Sequence, residues 1–225
     1  MLMSEILNIV VSGVGGQGTV LAGKLLANCA LQEGAFVRSA ETIGMAQRGG
    51  SVLGHVRILS RPLDSSDNSQ EDSLEPLRLN SPLVNKGQAQ LLIGFEPAET
   101  LKAYALCAPG ALVVSATTAL LPPTASLQRL KYDGSAQLQA LKKEAEAGNI
   151  STLSLVDNAR AMTQLGFDKA LNVVLLGTAL AALEASPLAC SALSYEAMQR
   201  TIETTVKSPF VQPNLQALHI GYQLL

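Results

Sequence analysis

Between residues 13 and 18 the chain reads Gly-Val-Gly-Gly-Gln-Gly, so Gly13, Gly15 and Gly18 satisfy the spacing G-x-G-x-x-G. Glycines at that spacing let a chain turn tightly and bring backbone N–H groups against an anion. Gly16 and Gln17 complete the loop. Residues 6–12 ahead of it are β-branched and almost wholly apolar, and residues 19–31 after it are Ala/Leu-rich with helical periodicity. The loop therefore opens a helix, whose N-terminus adds about half a positive charge at the same place. The dinucleotide-binding form of this motif also wants an acid about 20 residues on, to bind a ribose. Glu41 falls in that range, at the end of the next strand.

A second stretch, residues 41–52, reads ETIGMAQRGGSV. Gln47 and Arg48 stand before Gly49 and Gly50, where little side-chain bulk surrounds the guanidinium. An arginine displayed in that way can grip a carboxylate or phosphate with two parallel hydrogen bonds. In a parallel sheet, the loops at the carboxyl ends of strands line the ligand crevice. Both glycine-bearing loops leave carboxyl ends and so can face one crevice. Two blander readings stand beside this one. The glycines could serve only a tight turn against another protein surface, and Arg48 could pair with Glu41 or with a partner chain.

No self-sufficient catalytic set accompanies these loops, and we assign no catalytic residue. The chain has no G-x-S-x-G elbow, no H-E-x-x-H and no Cys/His pair with a local signature. Cys29, Cys107 and Cys190 are scattered without a C-x-x-C pair, which excludes a Cys₄ iron–sulfur or zinc site built by this chain alone. The same scatter argues for a reducing compartment over a disulfide framework. His55 and His219 lie in no ligand-spaced cluster and read as structural residues. An anion crevice without catalytic equipment looks like one part of a larger enzyme.

The elements that would position the loops follow from composition and pattern. Of 225 residues, 48% are hydrophobic and 15% charged, which excludes a disordered chain. Aromatic residues are 4% and Trp is absent, so a platform for stacking nucleic-acid bases is excluded. The net charge is −2 with no basic stripe, which argues against nucleic acid and anionic membranes as partners. The longest uncharged apolar run, residues 170–183, falls short of the about 20 residues that span a bilayer. A soluble cytoplasmic protein is expected.

Strand 6–12, helix 19–31 and strand 35–40 read as a right-handed βαβ unit. Residues 51–59 form a strand with Val52, Gly54, Val56 and Ile58 on one face. Residues 60–80 are an acidic, Ser/Asn/Pro-rich surface insertion. Strands at 90–94, 111–115 and 151–156 alternate with helices at 97–106 and 136–147, while 120–133 is irregular. After residue 157 the pattern is helical, over 158–165, 168–185, 194–206 and 212–224. The expected fold is α/β and three-layered, Rossmann-like, with a mostly parallel sheet, helices on both faces and a helical C-terminal third. A single domain over 1–225 is expected.

The two loop stretches, GVGGQGTVLAGKLLANCAL and SAETIGMAQRGGSVLGHVRI, together closely resemble the gamma component (domain III) of 2-oxoacid:ferredoxin oxidoreductases, and most nearly the beta subunit of the indolepyruvate enzymes. The resemblance continues through LLIGFEPAETLKA and GFDKALNVVLLGTALAAL. It ends at PNLQALHIGYQL, where Asn214, Ala217, Gly221 and Tyr222 fit N-x-x-A-x-x-x-G-Y. The chain departs from the family in its longer 60–80 segment and in Gln90, where Asp is usual. The resemblance implies a subunit of an enzyme that decarboxylates a 2-oxoacid oxidatively to acyl-coenzyme A, with electrons passing to ferredoxin. It places thiamine diphosphate and [4Fe–4S] clusters on a partner subunit and none on this chain, with coenzyme A as substrate. Ferredoxin is then an indirect partner, and self-association is expected when the partner subunit is missing. By this account Gly13, Gly15, Gly16, Gln17, Gly18, Glu41, Gln47, Arg48, Gly49 and Gly50 line the entry for coenzyme A. A stand-alone NAD- or FAD-binding oxidoreductase and an assembly subunit that binds no ligand are the alternatives.

Overall fold

The apolar run near the start of the chain forms β1 (Ile6–Val14), buried on both faces from Leu7 onward, as an interior strand must be. The computed structural model describes residues 6–44, 49–60, 79–120, 132–165 and 170–225. Gln47, Arg48 and the 61–78 part of the acidic segment thus lie outside the described residues. With β2 (Phe36–Ile43), β3 (Ser51–Leu59), β4 (Ala89–Gly94), β5 (Cys107–Ala116) and β6 (Ile150–Val156), β1 makes one sheet of order β2-β3-β1-β4-β5-β6. The pairs β1–β4, β4–β5 and β5–β6 are parallel, while β3 is antiparallel to both β1 and β2.

This order corrects the expected βαβ unit. α1 (Thr19–Gln32) does carry the chain from β1 to a strand of the same direction, but β3 is inserted between the two. The cause is the short link between β2 and β3. A parallel connection needs a dozen or more residues, so a strand following so closely has to return antiparallel. The predicted alternation in β3 holds: Val52, Gly54, Val56 and Ile58 are all buried, on the face that α1 covers.

Two apolar layers flank the sheet. On one face, Ile9, Val11, Val56, Ile93 and Val114 pack beneath α1 and α5 (Leu171–Glu184), with α4 (Asn158–Leu165), α6 (Tyr195–Thr205) and α7 (Ser208–Tyr222) completing that side. On the other face, Val10, Leu92 and Val113 pack beneath α2 (Pro97–Ala103) and α3 (Ser135–Glu146). α2 gives way to a tighter turn at Tyr104–Leu106, so the predicted 97–106 helix is α-helical only in its first part. α7 starts at Ser208, ahead of the expected 212, because Pro209 suits a first helical turn.

α5 and α7 approach closely because each presents a glycine at the crossing. A Cβ on Gly221 would stand 1.9 Å from the Val174 carbonyl oxygen, and one on Gly177 would stand 2.3 Å from that of Leu218. Thr178 Oγ1 donates to the Gly221 carbonyl at 2.8 Å across the same seam.

Gln90 sits at the amino end of β4, where its amide accepts from Asn8 N at 2.8 Å and donates to Ile6 O at 3.2 Å. It ties β1 to β4 at the edge of the sheet opposite the glycine loop. His55, on the β3 face away from α1, is buried and accepts the Val84 N–H on Nδ1 at 3.2 Å. Burial holds its pKa below the ordinary 6.5. As pH falls through that value the unfolded chain takes up the His55 proton first, so this residue costs stability only on the acid side. Melting temperatures measured from about pH 8 to pH 5 should fall below about pH 6.5, and less steeply in His55→Gln. Equal slopes for the two proteins would contradict this assignment.

Candidate functional site

β1 and β2 run the same way, so the glycine turn after β1 and the loop after β2 emerge at one edge of the sheet. They touch there, where Gly15 N donates to Gly50 O at 2.8 Å, and the second loop is closed on itself by Gly44 N donating to Ser51 O at 2.9 Å. The structure thus brings Gly13, Gly15, Gly16, Gln17, Gly18, Gly49 and Gly50 together. The third loop at this edge, after β4, joins them through Phe95, whose N–H donates to Ser12 O at 2.8 Å.

Gln17 staples this corner from within. Its Oε1 accepts Val14 N at 2.7 Å and its Nε2 donates to Phe95 O at 2.8 Å. Its amide is spent on the loop's own backbone, which makes Gln17 a brace of the turn. Glu96 braces the neighbouring loop. Nearly fully buried, it caps α2 by accepting from Ala98 N at 2.8 Å and Glu99 N at 3.0 Å, and it also accepts the Tyr132 hydroxyl. Burial, reinforced by that carboxylate, pushes the Tyr132 phenol well above its ordinary value. Glu99 accepts Ser51 Oγ at 2.5 Å and Lys102 Nζ at 2.7 Å, which fixes the start of β3 beside Gly50. Both carboxylates are engaged in holding the loops.

The turn itself leaves several backbone donors at the start of α1 uncapped. Gly16 and Gly18 have positive φ, and Gly18 is the N-cap of α1 at φ 85°, a conformation that side chains disfavour. No side chain caps the helix and no acid stands in its first turn. The N–H groups of Gly16, Gly18, Thr19 and Val20 find no acceptor among the described residues. A cavity of about 430 Å³ opens directly on them, lined also by Lys24 and Val52. Lys24 follows Val20 by one helical turn on the same face, and among the described residues no carboxylate pairs with it. Sequence reasoning missed Lys24; the signal was its place four residues into the same helical stripe. A second hollow of about 170 Å³ continues between α1 and the β2–β3 strands, past Gly23 and Gly54.

Glu41 lies in that second hollow, exposed, opposite Gly54 in register. The expectation that it would stand beside the glycine turn as a ribose ligand assumed that β2 adjoins β1. With β3 between, Glu41 is two strands away from β1, about 10 Å at the usual strand spacing. The dinucleotide arrangement is not reproduced.

A family model described as pyruvate ferredoxin/flavodoxin oxidoreductase matches residues 8–224, nearly the whole chain. The chain belongs to that family. It is 33% identical over 216 residues to an Archaeoglobus fulgidus protein named indolepyruvate oxidoreductase subunit IorB, covering 96% of this chain and 94% of that one. Its fold is similar to the gamma subunit of a keto/oxoacid ferredoxin oxidoreductase from Geobacter sulfurreducens, with a TM-score of 0.58 at 20% identity and 97% of each chain covered. It is also similar to part of the 2-oxoglutarate:ferredoxin oxidoreductase of Magnetococcus marinus, with a TM-score of 0.59 at 17% identity. That match covers 98% of this chain and 31% of the longer one, whose structure holds 2-oxoglutarate, coenzyme A and succinyl-coenzyme A. The resemblance expected from the two loop motifs is confirmed, as is the α/β, mostly parallel fold. Among the described residues no helix is long and apolar enough to cross a membrane.

Proposed function

We propose that the chain is the gamma-type subunit of a 2-oxoacid:ferredoxin oxidoreductase acting on indolepyruvate or a related arylpyruvate, and that its glycine-turn cleft receives the pyrophosphate of coenzyme A. The observation that carries the cleft reading is the set of N–H groups on Gly16, Gly18, Thr19 and Val20 that meet no acceptor among the described residues, with Lys24 on the same face and no acid in the first turn. Backbone N–H donors, a helix N-terminus and one mobile cation are what a pyrophosphate needs. The indolepyruvate reading rests on the name of the 33% identical relative. The coenzyme A reading is supported by the ligands of the Magnetococcus enzyme.

Thiamine diphosphate and the clusters belong, in this reading, to the partner subunit, where the first would activate the 2-oxoacid and the second carry electrons to ferredoxin. This chain contributes binding: it orients the coenzyme A diphosphate and closes one wall of the site. Leu21 and Leu31 on the outer side of α1 are exposed, which suits a helix that a partner covers. Gln47 and Arg48 belong to the loop whose ends, Gly44 and Gly50, are tied to Ser51 and Gly15. We assign Arg48 to the anionic ligand or to the partner's cofactor region. Arg48→Lys keeps the charge but loses the planar fork, and should weaken binding in the complex by about 1–3 kcal/mol with folding unchanged. Loss of stability with normal activity per folded molecule would make Arg48 a structural residue.

The test is anoxic co-purification from native extract, followed by analysis for thiamine diphosphate and iron and an assay of ferredoxin reduction with a panel of 2-oxoacids. A second chain carrying both cofactors, with activity on arylpyruvates, supports the reading. Bound flavin, or a melting temperature raised by NAD(H), in the isolated chain would favour a self-sufficient dinucleotide enzyme instead.

A further inference from the structure

β2 ends the sheet: β3 pairs with one side of it, and among the described residues no strand pairs with the other. A strand so placed carries a row of unpaired N–H and C=O groups on which another strand can add. The register says which groups these are. Gly44 N donates to Ser51 O, opposite it, and Gly15 N donates to Gly50 O. Odd-numbered residues of β3 therefore turn their backbone groups to β2, and even-numbered residues of β2 turn theirs to β3. The outward groups are those of Val37, Ser39, Glu41 and Ile43, and no described residue pairs with them.

Proteins guard such edges with proline, a bulge, a short strand or a covering element. β2 pairs over eight residues without a register shift, contains no proline, and leaves Arg38, Ser39, Glu41 and Thr42 exposed. Its two charges, Arg38 and Glu41, instead select what can add to it. A two-fold axis perpendicular to the sheet sets the β2 of a second copy antiparallel to the first. Antiparallel pairing joins outward residues to outward ones, so odd faces odd and even faces even. With Ser39 opposite Ser39, Arg38 would face Ala40 and Glu41 would face Val37, which leaves both charges against apolar groups. With Glu41 opposite Glu41, two carboxylates would meet. With Ala40 opposite Ala40, Ser39 faces Glu41 and Arg38 faces Thr42 on both sides of the axis. Each charge then has a hydroxyl across from it, and only methyl groups meet on the axis. The two Glu41 carboxylates lie diagonally across it, on the face where Lys24 lines the same hollow.

The α1 side of this edge agrees. Ser39 and Glu41 are in register with Val56 and Gly54, and so lie on the face that α1 covers. Leu31, 54% exposed, lines the second hollow together with Ser39 and Glu41, which puts it on the β2 side of α1. The same axis brings the α1 helices of two copies side by side, with each Leu31 turned toward the other copy.

We propose that this chain forms a two-fold dimer by antiparallel pairing of β2 with the β2 of a second copy, Ala40 lying on the axis, so that two six-stranded sheets become one. The pairing makes about eight backbone hydrogen bonds and covers Leu31. It sets Ser39 of one copy beside Glu41 of the other, so the second copy supplies part of the outer wall of the second hollow. The inference stands apart from the anion reading of the cleft and from the choice of 2-oxoacid.

Light scattering on the full chain tests it first, and the mass should approach twice the 23.5 kDa of one chain as concentration rises. Ser39→Pro removes an outward N–H and leaves the bonds to β3 in place, as a proline on an edge strand can. It should keep the parent's circular dichroism and weaken dimerisation at least tenfold. Disulfide trapping fixes the register without relying on that variant. Mild oxidation should link Ala40→Cys into a covalent dimer, because directly opposed strand residues stand within disulfide reach. Thr42→Cys should stay unlinked, since its two copies stand four residues apart, about 13 Å along the strand. The parent, with its three native cysteines, is the blank. A monomer mass at every concentration would overturn the proposal. So would a dimer undisturbed by a folded Ser39→Pro, or an Ala40→Cys chain that links no better than Thr42→Cys.

Discussion

Gly221→Ala should lower the stability of the chain by about 3 kcal/mol, the upper end for forcing atoms into a packed core. The added methyl would stand 1.9 Å from the Val174 carbonyl oxygen and 2.7 Å from its carbon. These are backbone atoms of a buried helix, so no side chain can swing aside. α5 and α7 would have to separate, and the Thr178–Gly221 hydrogen bond would lengthen with them. For a chain of this size the expected fall in melting temperature is about 6–12 °C. A shift within a degree or two of the parent would show that the two helices are not packed at this distance.

Lys24→Glu should have the largest effect on ligand binding and almost none on folding. Lys24 stands at the mouth of the main cavity and at the start of the second hollow. Among the described residues it has no ion-pair partner to lose. Reversing its charge removes one attraction to a phosphate and adds one repulsion. In the reconstituted enzyme the KM for coenzyme A should rise about tenfold or more at low salt, a loss of at least about 1.4 kcal/mol. The effect should shrink as salt screens the pair, while the KM for the 2-oxoacid stays put. An unchanged KM for coenzyme A would place the anion elsewhere.

The fold was legible wherever local pattern decides it. Residues 6–12 could only be an interior strand, and Gly13–Gly18 could only be a turn that opens a helix. The alternation from Val52 to Ile58 assigned the buried face of β3 correctly. What local pattern could not show was the order of the strands. β2 would have read as the neighbour of β1 whichever strand lay between, and only the shortness of the link before β3 signals an antiparallel return. That one error misplaced Glu41, whose supposed role depended on strand adjacency and not on its own surroundings.

The site divides in the same manner. The glycine loop and the loop after β2 are each one short stretch of sequence, and their meeting followed from strand direction alone. Gln17 was read as a ligand contact because it lies in the loop, but its hydrogen bonds to Val14 and Phe95 turn it inward.

The measurement that bears most directly on the function is ferredoxin reduction by indolepyruvate, followed with this chain alone, with its co-purified partner alone, and with the two recombined. The proposed account predicts activity only in the recombined sample, with strict dependence on coenzyme A. Full coenzyme A-dependent activity from the partner alone, or oxidoreductase activity from this chain by itself, would contradict it.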